Sequence, residues 1–203
     1  MEDTYKTVSA LSEGLFKDKG SRFISYLYPV TTEEEIKEII QQIKKAHHSA
    51  RHHCYAWRLG RENIRFRAND DGEPSSTAGK PILGQLTSFE LTNVLLVVVR
   101  YFGGTLLGTS GLINAYREAA SEAIRNATVE TRIIEAEYRL QFGYNELNQV
   151  MQIIKNENLQ QTAIQLEESC RIDLSVRKSE AARIENIFES IYGVTVTRLE
   201  EGC

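Results

Sequence analysis

Asn93-Val94-Leu95-Leu96-Val97-Val98-Val99-Arg100 decides the fold of this chain. The apolar run inside it is too short for a stable helix and rich in valine, so it reads as a strand. It is apolar at every position instead of alternating, which predicts a strand inside a sheet covered on both faces. Tyr101-Phe102-Gly103-Gly104 follows, then a helix expected from Ser110 to Asn126, with Leu112, Ile113, Tyr116, Ala119, Ala120, Ala123 and Ile124 on its buried side. Ahead of the run, Thr77 is placed to cap a helix from Ala78 to Phe89.

Further upstream, Tyr5–Leu11 and Ser21–Tyr28 read as strands. Thr31 or Thr32 caps a helix that carries Glu33, Glu34 and Glu35 near its positive end and buries Ile36, Ile39, Ile40 and Ile43, ending near His47. Cys54–Leu59 and Ile64–Ala68 form a hairpin about Gly60-Arg61-Glu62-Asn63. Residues 1–131 are thus expected to form a mixed α/β domain. Residues 132–203 repeat a simpler pattern: strands at Ile133–Phe142, Gln160–Glu168, Arg171–Arg177 and Val194–Leu199, helices at Tyr144–Asn156 and Ser179–Ile191. That order is βαββαβ, the ferredoxin-like arrangement with helices on one face of a four-stranded sheet. The fold class expected is α+β, in two domains.

The chain has 203 residues, 41% hydrophobic and 26% charged, with a net charge of -4. This is the composition of an ordinary globular protein. Charge is balanced before residue 131 and acidic after it. Cys54, Cys170 and Cys203 form no close framework, which argues against an oxidised scaffold. Met1-Glu2-Asp3-Thr4 has neither a positive region nor an apolar stretch, so no export signal is expected. No run approaches the ~20 apolar residues that cross a bilayer. No membrane association and a cytoplasmic location are expected, and the oligomeric state is left open.

Most of the unusual chemistry precedes residue 120. All four histidines, His47, His48, His52 and His53, lie together, with Cys54 next. His48 and His52 with Asp71 or Glu73 are one candidate divalent-metal set, although no HExxH or paired CxxC motif accompanies them. Arg51, His52, Arg58, Arg65 and Arg67 are equally a phosphate-contacting surface, with Lys80 and Arg100 as weaker additions. The turn Asp70-Asp71-Gly72-Glu73-Pro74 leads to Thr77, where helix amides can receive an anion or simply be capped. Gly103, Gly104, Gly108, Thr109, Ser110 and Gly111 are spaced neither as a P-loop nor as a dinucleotide fingerprint, and they allow close approach to phosphate or a sharp strand exit. No cofactor is assigned. Ser75, Ser76, Ser110 and Cys54 are candidate nucleophiles with histidine as base, and proximity in sequence does not establish the hydrogen-bond geometry they need. Tyr101 and Phe102, next to a buried strand, are expected in the core or a domain contact.

Arg51-His52-His53-Cys54-Tyr55-Ala56, the Asp70-to-Gly79 turn, Arg100-Tyr101-Phe102-Gly103-Gly104 and Gly111-Leu112-Ile113-Asn114-Ala115-Tyr116 occur in an order that resembles the IMPACT family, specifically its bacterial YigZ-like branch. The resemblance is most specific up to about residue 127. It implies a first domain similar to domain IV of elongation factor G, a ribosomal-protein-like α/β sandwich, and a ferredoxin-like second domain. It also implies a role linked to translation, and the function expected is noncatalytic binding of the ribosome or structured RNA through the basic and glycine-rich phosphate-contacting surface, with a translation-linked protein adaptor as an alternative. The chain departs from the family pattern at Ser110, where a Gly-Gly pair is usual. A metal- or phosphate-dependent hydrolase is the alternative from another class.

Overall fold

The apolar run becomes a strand with no exposed face: each residue from Val94 to Val99 is 0% exposed. In the computed structural model, which describes residues 3–167 and 169–199, the elements are β1 (Thr4–Val8), β2 (Ser12–Asp18), β3 (Ser21–Pro29), α1 (Glu33–Ala46), β4 (His52–Leu59), β5 (Arg65–Asn69), α2 (Gly79–Ser88), β6 (Val94–Tyr101) and α3 (Gly108–Arg125). After these come β7 (Val129–Ile133), β8 (Glu135–Gly143), α4 (Leu147–Asn156), β9 (Gln160–Gln165), β10 (Ser169–Arg177), α5 (Lys178–Glu189) and β11 (Thr195–Leu199). The protein is α+β and divides into two units: Tyr5–Arg132, and a second that begins at Ile133 and takes in the residues before Tyr5.

The first unit is a three-layer structure. Its sheet runs β2-β3-β6-β4-β5 with antiparallel pairing throughout. Val94, Leu96 and Val98 of β6 pack with Ile82 and Leu86 of α2 and with Leu112, Tyr116 and Ala119 of α3. Leu95, Val97 and Val99 face the other way, onto Ile36 and Ile43 of α1. Two cores on opposite faces explain why the run cannot alternate. The start of α1 is a capping box, Thr32 accepting from Glu35 N–H while Glu35 accepts from Thr32 N–H.

Three sequence expectations are corrected. β2 was not expected, because Ser12 and Gly14 face α3 where apolar residues would normally signal a strand. A Cβ on Gly14 would lie 2.5 Å from Ala123 N, so close helix approach selects glycine there. Thr77 does not cap α2: its hydroxyl donates to Pro74 O (2.6 Å), and the helix starts at Gly79. Finally, the strand expected over Ile133–Phe142 begins at Glu135, after β7 and the buried Ile134, whose N–H donates to Asp3 O (2.7 Å).

In the second unit the strand order is β11-β8-β10-β9, again antiparallel. Val150 and Ile154 of α4 and Ala181, Ile184 and Phe188 of α5 join Tyr138, Leu140, Ile172 and Leu174 in one core. The opposite face carries Asp173, gripped by Arg139 (both contacts 2.9 Å) and by Arg171. These guanidinium hydrogen bonds hold its carboxyl well below the usual carboxylate range. The strand expected to reach Glu168 ends at Gln165, and Glu168 itself lies outside the described residues. Cys54 and Cys170 are free thiols, and Cys203 also lies outside the described residues. Among the described residues no helix is long and apolar enough to cross a membrane.

Candidate functional site

Four segments far apart in sequence meet around one carboxylate. Glu73 is 8% exposed, and its Oε1 accepts from Arg100 NH1 (2.6 Å) and Tyr116 Oη (2.7 Å), while His52 Nε2 lies 4.0 Å away. Cys54 Sγ donates to Asp70 O (3.0 Å) and approaches the Tyr116 hydroxyl (3.4 Å). His52 Nδ1 is 2.9 Å from Asp71 O. Arg100, 6% exposed, lies over the rings of Phe23 and Phe102, at 5.5 and 5.7 Å. β4, the 70–78 turn, β6 and α3 each contribute to this network, which pins the turn to the sheet.

The network is chemically closed. Glu73 is engaged as an acceptor, and burial pushes the Cys54 thiol up, so the thiol stays protonated and is a poor nucleophile. Burial likewise pushes the Tyr116 hydroxyl up. Of the metal candidates, His52 Nε2 faces the Glu73 carboxylate, while its Nδ1 meets the backbone oxygen of Asp71 and not its carboxylate. The Asp71 carboxylate accepts from His53 N–H (2.7 Å) and Lys44 (3.0 Å), and His48 is exposed. Burial alone would raise Asp71, but these two hydrogen bonds bring its carboxyl below its ordinary value. Among the described residues no three His, Cys, Asp or Glu side chains are placed to hold one ion.

The expected phosphate surface is divided by the fold. Arg58 NH1 donates to Leu86 O (3.2 Å) and Leu91 O (2.9 Å), closing the end of α2. Arg65 pairs with Glu33 (2.8 Å), and Arg100 with Glu73. Thr77 is buried. Arg51, Arg67 and Lys80 remain exposed, Arg51 with its guanidinium 5.9 Å from the Phe102 ring centre. The amino end of α2, where the sequence allowed an anion or a cap, is filled by the chain itself: Asp70 Oδ1 accepts from Ala78 N–H (3.0 Å) and Gly79 N–H (2.8 Å), and Oδ2 from Ser76 N–H (2.9 Å). Asp70→Ala is expected to cost the first unit about 1–2 kcal/mol, as loss of a helix cap does. Trp57, the sole tryptophan and buried in this unit, gives the fluorescence signal for the denaturation curve.

The glycine segment also differs from expectation. Gly108, Thr109, Ser110 and Gly111 belong to the first turn of α3, leaving a loop of 102–107. Gly103 is pressed against the β2–β3 turn, its N–H donating to Ser21 Oγ (3.1 Å). Beyond it, Phe102 (43%) and Leu106 (83%) stand exposed. Phe102 was expected in the core or a domain contact, and it is not in the core. The reason is that β6 ends at Tyr101, so the chain has left the sheet where Phe102 stands.

A second polar cluster lies on the α1 side. His47 Nε2 meets Tyr26 Oη and its Nδ1 meets Tyr101 Oη, both at 2.8 Å. Burial, then the neighbouring His53, lowers the His47 pKa below its ordinary 6.5. The folded state therefore binds this proton less readily than the unfolded one. Its contribution to stability is complete above about pH 6.5 and is lost as the pH falls toward the lower folded value. NMR titration is expected to give a His47 midpoint under 6.5, with the first unit less stable at lower pH.

Together the fold and the site define a two-unit α+β protein whose sequence motifs converge on a buried Glu73–Arg100 pair. The Impact N-terminal domain profile matches residues 19–124. The IMPACT family member YvyE of Bacillus subtilis is 45% identical over 132 residues, covering 65% of this chain and 61% of that protein. YigZ of Escherichia coli is 41% identical over 131 residues, covering 64% of each. The alignments thus span about three-fifths of these relatives' length. A crystal structure of a hypothetical protein superposes with a TM-score of 0.71 at 29% identity and covers 100% of both chains. This chain belongs to the IMPACT family, in its bacterial YigZ-like branch.

Proposed function

We propose that this protein is a non-catalytic adaptor in translational regulation, and that the loop at 102–107 is a protein-contacting surface. One observation carries the reading. Glu73, Arg100 and Tyr116, which suggested chemistry, are engaged with one another, and the loop that follows Arg100 carries exposed apolar side chains, Phe102 and Leu106. Exposed large apolar side chains on a braced loop fit a protein interface better than a phosphate cradle. The link to translation rests on the family. Within the same reading we take the first unit as similar to domain IV of elongation factor G, on family grounds. We take the second as ferredoxin-like, supported by its βαββαβ order and its β11-β8-β10-β9 sheet.

A ribosome- or RNA-binding reading keeps one specific support, the exposed Arg51, Arg67 and Lys80. Purification of the full chain from nuclease-treated extract separates the two. The adaptor reading expects a translation-related protein to be recovered near stoichiometry with wild type and lost with Leu106→Glu. Recovery that vanishes on nuclease treatment sinks it in favour of RNA.

A further inference from the structure

The adaptor reading assigns one surface, and a second lies along the β2 edge of the same sheet, beside the turn that braces the loop. β2 is an edge strand, and an open groove of about 460 Å³ runs along it. Asn126 Nδ2 donates to Glu13 O (2.9 Å), so the Glu13 backbone points away from β3. Alternation along an antiparallel strand then turns the N–H and C=O of Leu15 and Lys17 outward as well. Asn126 occupies the Glu13 end of the edge. The Leu15–Lys17 end is open, a template for another strand.

Side chains along this edge specify what fits. Leu15, 50% exposed, stands opposite Ile24 and gives an apolar floor. Lys17 stands opposite Arg22, two like charges in direct register, an arrangement that costs stability unless an anion bridges it. Arg22 lies 5.2 Å over the Tyr101 ring, and among the described residues neither cation is within ion-pair distance of a carboxylate. At the other end Glu13 and Glu122 line the groove. Their charge disfavours a continuous polyanion such as RNA, whereas a segment with acidic residues at one end satisfies both halves.

We infer that the open edge of β2 receives an extended, acidic and apolar segment of a partner protein, paired as a sixth strand. Backbone bonds to Leu15 and Lys17 supply the pairing, Leu15 and Ile24 seat an apolar side chain, and Lys17 and Arg22 meet carboxylates. This inference shares with the adaptor reading only the premise that the ligand is protein, and it does not depend on what binds the loop.

The test titrates the full chain, labelled for amide NMR, with the acetylated and amidated octapeptide Thr-Val-Thr-Val-Thr-Glu-Thr-Glu, whose valines and glutamates share one face of a strand, apolar at one end and acidic at the other. Saturable shifts of the Leu15 and Lys17 amides are expected, with binding about tenfold weaker for the same peptide carrying lysine in place of glutamate. Leu15→Pro removes an outward N–H without breaking the β2–β3 ladder and is expected to weaken binding by about tenfold. If that variant misfolds, Lys17→Glu serves, and it is expected to abolish the preference for the acidic peptide. Four results overturn the inference: no saturable binding, shifts confined to other residues, tighter binding of an oligouridine strand at Lys17 and Arg22, or self-association that occupies the same amides. Failure here leaves the loop's partner capture unaffected, and failure of that capture leaves this edge standing.

Discussion

Glu73→Ala is expected to destabilise the first unit by about 3–5 kcal/mol, the cost of leaving a buried charge without its partner. Arg100 is the charge in question. Its side chain is 7% exposed, and among the described residues its buried Nε has no hydrogen-bond partner and its salt bridge is to Glu73 alone. The substitution also leaves the buried Tyr116 hydroxyl without its acceptor. Replacing both charges, Glu73→Leu with Arg100→Met, is expected to cost less than Glu73→Ala alone, because no uncompensated charge remains. Denaturant unfolding followed at Trp57 checks both variants. A loss under about 1 kcal/mol for Glu73→Ala, the size of a surface pair, would remove the network from its central place.

Gly103→Ala is expected to cost about 3 kcal/mol, at the upper end for overpacking. A Cβ there would lie 1.9 Å from Gly20 C and 2.1 Å from Ser21 N, backbone atoms that cannot rotate away. The contact joins the exit of β6 to the β2–β3 turn and braces the loop bearing Phe102 and Leu106. Gly84→Ala is the control: nothing lies within 4 Å of its Cβ, and alanine in a helix is expected to stabilise by about 0.5–1 kcal/mol. Opposite signs for two Gly→Ala changes, measured on the same curve, isolate packing from propensity.

Where the fold was legible, local physics and tertiary packing agreed. The capping box at Thr32, the apolar run of β6 and the alanine-rich face of α3 each announced themselves within one stretch of sequence. β2 did not, because its buried side is Ser12 and Gly14, chosen for the approach of α3. Residue types at the site were legible too, as histidines, arginines and glycines in a dense order. What engages each was not. Arg58 reaches carbonyls at Leu86 and Leu91, and Glu73 finds Arg100 and Tyr116, through contacts between residues 27 to 43 positions apart. Asp70 sits nine residues before Gly79, the first residue of α2, whose amide it caps, outside the reach of local capping rules.

The decisive measurement is the affinity of the partner retained after nuclease treatment for three forms of the full chain: wild type, Leu106→Glu, and Arg67→Ala with Lys80→Ala. An adaptor that docks through its apolar loop predicts binding about tenfold or more weaker for Leu106→Glu, as at an interface hot spot. It predicts little change for the paired cation variant. The reverse ranking, with an affinity that falls steeply with salt and is lost with Arg67 and Lys80, contradicts the account and returns the surface to nucleic acid.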